Sequence, residues 1–554
     1  MADPVGTAPE VADEIHEHGG GVDHAGHSPI YAGRVTDTPQ APAPGADSLR
    51  ALAEILVGSQ YTPAGLRGLW GIDADAALQR SNAAPARWQI RRSRDPRAVL
   101  AGLFLLEVPQ PRTRVDAVLG PVLVERLITA GLLSVAEATV TSRLALTPWA
   151  VPTGVPRGAR PGDETLFLLA DHGTLARPVP VPGDFVLGLG GAGRTLADIT
   201  PRHAVGTAVD IGTGCGIQAL LLARHADHVV ATDVSERALR IAALNAHLNH
   251  APNIEFRQGS LFEPTPEAFD LVVSNPPFVI TPQGRTPALE YRDGGMTGDG
   301  VMRRLLEQTP AHLTADGHAA FLGNWEYGPG RTEPSSWSDA ADTSVMVIER
   351  ERLDPAAYSE TWIRDGGVQR AGERFERDTA AWLSDFAARG VEEIGFGWVR
   401  MHRGEPEAGA GVRHFERLAG PLGANPVGTG AHLDTRLAML EWLHTADDDE
   451  LATTAFVRSG DVTEHRHHTP GSEAPTMLTI EQGIGFGQTF ASDPALSGFL
   501  GVADGSLSLG AISGALASLL DIEEPALRTQ LIGQVRSLVP AGVMYPAVSE
   551  PSEH

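Results

Sequence analysis

Two short segments carry residue types and spacings that could do chemistry. The first is Val209-Asp210-Ile211-Gly212-Thr213-Gly214-Cys215-Gly216. An apolar strand that ends in an acid and runs into glycines at alternate positions can turn tightly. It can also bring its backbone close to a ligand where a Cβ would collide. Roughly 20 residues on, Val229–Thr232 reads as a second strand ending in Asp233, a carboxylate placed to accept hydrogen bonds from ribose hydroxyls. The second segment is Asn275-Pro276-Pro277-Phe278, directly after the apolar run Phe269–Ser274. The Asn275 side-chain oxygen and the Pro276 carbonyl can both accept hydrogen bonds from an NH2 group. The two prolines fix φ and remove donors, so the loop is stiff and its carbonyls stay free. Phe278 offers a face for stacking on a flat target. Each segment has a bland alternative, since glycine loops also make ligand-free turns and Asn-Pro commonly starts one. Their order favours the functional reading: one follows the first strand of an alternating strand–helix pattern, the other the fourth.

The G-x-G-x-G spacing, with the acid ahead of it, differs from the G-x-G-x-x-G of dinucleotide folds. It resembles the S-adenosylmethionine (SAM) loop of class I methyltransferases. With Asn-Pro-Pro-Phe downstream, residues 185–405 resemble the small-methyltransferase group of SAM-dependent enzymes, and within it the HemK-type glutamine N5-methyltransferases. Glu290-Tyr291-Arg292-Asp293-Gly294-Gly295, then Asp299-Gly300 and a following helix over 301–312, are similar to that family's acidic-glycine segment. The resemblance implies that Asp210, Gly212, Thr213, Gly214 and Gly216 hold the methionine part of SAM and that Asp233 binds its ribose. It implies that Asn275, Pro276, Pro277 and Phe278 bind the target, and that Asn275, Ser260 and Leu261 are further cofactor contacts. The chain departs from the family at Gly259-Ser260-Leu261, where Ser260 stands in place of the usual Asp beside adenine.

An amide or exocyclic amine is a poor nucleophile because its lone pair is conjugated. A site that methylates one must orient the NH2 and line it up with the methyl donor. The expected reaction is therefore transfer from SAM to a planar NH2 nitrogen, and the HemK resemblance implies a protein glutamine amide as the target. An adenine N6 or guanine N2 in structured rRNA or tRNA would fit the same loop. A non-catalytic SAM-binding regulator or scaffold is the third reading.

The elements that must position these residues follow from periodicity. Residues 1–45, rich in Pro, Gly, Ala, Asp and His, read as a disordered tail. Residues 46–150 show helical spacing (Leu49, Leu52, Ile55, Leu56) interrupted at Pro63, Pro85, Pro96 and Pro109. A β-rich connector over 151–200 includes the strand candidate Thr165–Ala170 and a glycine-rich lip at Val186–Gly193. Residues 201–405 alternate strand and helix, which predicts a doubly wound, Rossmann-like α/β domain; the resemblance implies a seven-stranded sheet. Residues 406–554 read as an acidic, mainly helical module with a winged-helix-like unit near Asp504–Leu520.

Composition bounds the remainder. A length of 554 residues implies several cores. All 43 basic residues are arginine, and the net charge of −26 argues against a generic nucleic-acid binder. The arginines at 87, 91, 92, 94 and 97 nonetheless form a local basic stretch, read as a solvated helix face. The single cysteine, Cys215, excludes an internal disulfide and fits a cytoplasmic location. It reads as a small buried side chain rather than a nucleophile. No apolar run of membrane-spanning length is present, and no membrane partner is expected. His16, His18, His24 and His27, and later His465, His467 and His468, lack clean ligand spacing, so no metal is expected. Tyr358 and Trp362, four residues apart, are expected to pack rather than bind substrate.

Overall fold

A computed structural model describes residues 41–152, 154–156, 164–173, 183–282, 292, 294–368, 370, 372–404, 410–426 and 428–547. Its centre is a sheet of β1 (Val205–Ile211), β2 (Ala226–Asp233), β3 (Ile254–Gln258), β4 (Phe269–Ser274), β5 (Leu313–Tyr327), β6 (Thr343–Leu353), β7 (Glu393–Arg403) and β8 (Arg413–Arg417). The spatial order is β8-β6-β7-β5-β4-β1-β2-β3. Strands β3 through β5 run parallel in that order, whereas β7 lies antiparallel between β5 and β6. The inner strands are apolar because helices cover both faces, as in parallel sheets generally. Sequence order reverses between β1 and β4, and such a switch point opens a crevice at the carboxyl ends of the strands.

Among the described residues the sheet has eight strands, correcting the expected seven. The additional strand, Arg413-His414-Phe415-Glu416-Arg417, pairs parallel with β6 at the edge. It comes from the stretch assigned to the acidic rear module, and its charged, partly exposed sequence carries no apolar run that could announce a strand. Charged residues on an edge strand also discourage pairing with other chains.

In the front module, Pro63 and Pro96 are the first residues of helices and Pro85 the second residue of another. They start elements rather than interrupt them, because a proline in the first turn forfeits a donor that has no helical partner anyway. A three-stranded sheet (Gln110–Pro111, Leu133–Ala136, Thr139–Ser142) follows, and Thr165–Ala170 pairs with Ala145–Ala150. One apolar core runs from Leu49 and Phe104 through Leu146 and Leu168 to Cys215, Ile217 and Ile241. The front helices thus pack on the same side chains that support the glycine loop.

Helix α1 (Gly191–Ile199), α2 (Ile217–Leu222) and α3 (Glu236–Leu248) flank the parallel strands. Beyond the sheet come α4 (Gly300–Gln308), α5 (Pro355–Asp365), α6 (Glu373–Ala388) and α7 (Thr429–Thr445). Helix α7 joins the rear segment to the sheet, with Leu433 and Leu437 packed among Met346, Ile348 and Trp398. The rear segment also holds two three-stranded sheets that helical periodicity did not announce. One of them, Asp504–Ser508, Ala455–Arg458 and Met544–Pro546, surrounds the helices Leu509–Leu520 and Glu524–Ala541 in sequence. Among the described residues no helix is long and apolar enough to cross a membrane.

Candidate functional site

The parallel register of β1 and β4 brings the two motifs together. Ile211 pairs with Ser274, and the Ser274 hydroxyl donates to the Ile211 carbonyl at 2.8 Å. Gly212 and Asn275 therefore leave adjacent strands at the same level, side by side at the switch point.

The three glycines of the loop have different tasks. All adopt positive φ, +71° at Gly212, +56° at Gly214 and +87° at Gly216. A Cβ on Gly212 or Gly214 would meet nothing within 4 Å, which is the room a ligand needs. A Cβ on Gly216 would come 3.1 Å from Ala242 Cβ, so this glycine lets α3 pack closely instead. Asp210 is buried, and its Oδ2 accepts from the Thr213 hydroxyl at 2.6 Å and the Ala219 amide at 3.0 Å. It bolts the loop to α2. Burial pushes its carboxyl up to about 7, against the opposing pull of those two donors. Asp233 accepts from the Gly214 amide at 2.9 Å and the Ser235 amide at 2.8 Å. Each of its oxygens keeps a further lone pair for a ligand hydroxyl. Cys215 is buried, and desolvation raises its thiol to about 12, which suits packing and not nucleophilic chemistry.

On the next strand, Gln258 pairs with Asp233, so Ser260 and Leu261 turn off beside the loop. Leu261 sits at φ +48°, and the Ser260 amide lies 3.4 Å from the Glu263 carboxylate.

In the second motif, Pro276 is buried and Asn275, Pro277 and Phe278 are half-buried. The Asn275 Oδ1 is buried without a hydrogen-bond partner among the described residues. Such an orphan costs about 1–3 kcal/mol and calls for a functional account. Phe278 rests on Phe396, 5.6 Å between centroids, and edges onto Trp362 at 6.2 Å. Part of its ring is thus committed to packing. Tyr358 is buried, and its hydroxyl accepts from the Ile280 amide at 3.0 Å and from Asn324 Nδ2 at 2.6 Å. This anchors the chain leaving the motif. Of the acidic-glycine segment, Glu290, Tyr291 and Asp293 lie outside the described residues. Gly294 lies against Pro277, and Asp299 accepts from the Glu326 amide at 3.2 Å.

Residues missed from the sequence lie mostly behind the motifs. Asn245, fully buried on α3, donates to the Leu169 and Cys215 carbonyls at 2.8 Å each and accepts from the Leu169 amide at 2.7 Å. Asn249, one turn on, binds both backbone groups of Phe167 at 2.8 Å. Two amides thus complete the open edge of the strand Thr165–Ala170 and tie it to the glycine loop. Their four-residue spacing was the available signal. Arg237 adds a bidentate pair with Asp171, both contacts 2.6 Å.

Residues 189–328 match the family model described as "Methyltransferase small domain", and residues 58–143 match a domain of unknown function, DUF7059. The chain is 36% identical over 179 residues to the ribosomal protein uL3 glutamine methyltransferase of Bradyrhizobium diazoefficiens, covering 29% of this chain and 54% of that relative. It is 35% identical over 165 residues to the protein of the same name from Bordetella pertussis, 26% of this chain and 55% of the relative. The release factor glutamine methyltransferase of Aliivibrio fischeri is 42% identical over 102 residues, 18% of this chain and 34% of the relative. The chain spans about half or less of the length of these relatives.

Proposed function

Because residues 189–328 are a methyltransferase small domain of the HemK-like class I group, we propose that the protein transfers a methyl group from SAM to a protein glutamine side-chain nitrogen. The observation that carries the reading is the Asn275 Oδ1, buried and without a partner among the described residues, beside the glycine loop. A primary amide has two N–H donors. Asn275 Oδ1 takes one and the Pro276 carbonyl the other, which turns the nitrogen's lone pair out of the hydrogen-bonding plane. Gly212 and Gly214 leave open space for the methionine end of the cofactor, and Asp233 accepts from its ribose. Ser260 and Leu261 stand on the adenine side. When bound, SAM supplies an electrophilic methyl on its sulfonium sulfur. Pro276 and Pro277 hold the acceptors in place, and the Tyr358 hydroxyl keeps the following backbone from swinging away. Orientation of this kind supplies a large part of the barrier reduction.

The nucleobase reading has one observation in its favour. Trp88 is 54% exposed with the Arg92 guanidinium 3.7 Å over its ring, and Arg91 and Arg94 are exposed nearby. Arg97 is spent on Asp95, and Arg87 donates to the Leu106 carbonyl, so the basic face is narrower than the sequence promises. The test is to incubate the chain with methyl-labelled SAM, ribosomal protein, release factor and ribosomal RNA. Label on a glutamine-containing peptide, located by mass spectrometry, is expected. Label that resists protease and yields to nuclease would replace this reading with the nucleobase one.

A further inference from the structure

The antiparallel register of β5 and β7 pairs His318 with His402, residues 84 positions apart in the chain. Their rings stack, centroids 4.5 Å apart and 17° from parallel. Just ahead of His318 the pairing of β5 is interrupted between Leu313 and His318, and Asp316 takes a left-handed φ of +61° there. Irregularities of this kind re-aim a side chain. Here the Asp316 Oδ1 comes 2.9 Å from His402 Nε2, while Glu441 on α7 holds His402 Nδ1 at 2.8 Å. His318 Nδ1 is buried with no hydrogen-bond partner among the described residues. One donor atom from each of Asp316, His318 and His402 lies within 4.8 Å of the others.

We propose that Asp316, His318 and His402 are ligands of a divalent transition-metal ion of the Zn2+ class. Two imidazoles and a carboxylate suit Zn2+, Co2+ or Ni2+, whereas Mg2+ and Ca2+ prefer oxygen alone. The Glu441 carboxylate on the far ring nitrogen of His402 is the outer contact that metal-binding histidines characteristically make. Asp316 Oδ1 already lies 2.9 Å from His402 Nε2, the three donors lie within 4.8 Å of one another, and a turn of the two stacked rings aims both imidazoles at one ion, with the 82% accessible Asp316 side chain free to follow. Two carboxylates give the site negative charge, and the nearby buried Arg400 is already paired with Asp434. His203, edge-on to His318 at 5.3 Å, closes one side.

His318 pairs with Leu271, four residues before Asn275, which sets the site about 13 Å along the sheet from the methyl-transfer motif. The ion would therefore fasten β5, β7 and, through Glu441, α7 together rather than take part in the chemistry. It would act as a metal-dependent clasp between the sheet and the rear segment.

The experiment uses the full chain stripped with a chelator and titrated with Co2+ and Zn2+, beside Asp316→Asn, His318→Gln and Glu441→Gln. Expected are one Co2+ equivalent with the intense visible absorption of a tetrahedral site and a rise in Tm on adding Zn2+. Both should be lost in His318→Gln and weakened at least tenfold in Asp316→Asn, which alters only an exposed side chain. Glu441→Gln should weaken affinity by about 10–100-fold. Weak binding by the tail histidines or by His465 and His467 would persist unchanged in every variant. The proposal is overturned if the wild type takes up no site-specific equivalent, or if Asp316→Asn and His318→Gln bind as it does.

Discussion

Replacing Asn275 with alanine separates stability from catalysis in an unusual direction. In most buried sites, deleting a polar side chain breaks a bond and destabilises the fold. Here the Oδ1 is buried and, among the described residues, has no partner to lose. Its unmet demand costs the folded state about 1–3 kcal/mol, and removing it recovers that amount. Against this stands the packing of a half-buried amide, about 1 kcal/mol for so few atoms. The two terms nearly cancel, so Asn275→Ala should melt within a few degrees of the wild type, or higher. SAM affinity should fall far less than methyl transfer, since the glycine loop and Asp233 are untouched and only the Asn275 side chain beside the cofactor is lost. Methyl transfer should fall by about 10²–10³, the loss seen when one preorganised hydrogen-bonding group is removed from a reacting centre. Urea unfolding, calorimetric titration with SAM and single-turnover methyl transfer read the three quantities separately. A variant that lost 2 kcal/mol or more of stability, by the order of magnitude above, while keeping its turnover would refute the reasoning. It would mean that Oδ1 has a structural partner and no substrate to await.

Other substitutions probe the frame. Gly216→Ala should destabilise by about 1–3 kcal/mol, from its positive φ and the 3.1 Å approach to Ala242, and urea unfolding reads it. Gly214→Ala, with open space around its Cβ, should cost about 1 kcal/mol in stability yet lower SAM affinity tenfold or more by calorimetry. Asn245→Leu leaves the Leu169 amide and the Leu169 and Cys215 carbonyls short of a partner, so a loss of about 3–5 kcal/mol and weaker SAM binding are expected. Burial raises Asp210 to about 7, so the folded chain holds this proton more tightly than the unfolded one. Stability should therefore fall as pH climbs from about 4 to about 7 and then level off, and Asp210→Asn should flatten that slope in thermal melts across pH.

Local patterns, the glycines at 212, 214 and 216, the strand-ending acids and the double proline, were legible because each encodes backbone conformation within a few residues. The alternation of apolar strands and helices likewise announced the doubly wound sheet, since periodicity reports which faces are buried. The distinct task of each glycine was not legible: whether a Cβ meets open space or Ala242 depends on where α3 packs. Strand β8 escaped notice because a charged edge strand needs no apolar run, and Pro63 and Pro96 read as interruptions of the expected helices because a proline looks the same starting a helix as breaking one. Asn245 gains its meaning only from Leu169, 76 residues away. Sequence by itself determined the chemistry available at each motif. The tertiary structure alone decided which groups meet, as strand register set Ile211 beside Ser274 and His318 beside His402, contacts made by pairing across the sheet and carried by no local signal in the chain.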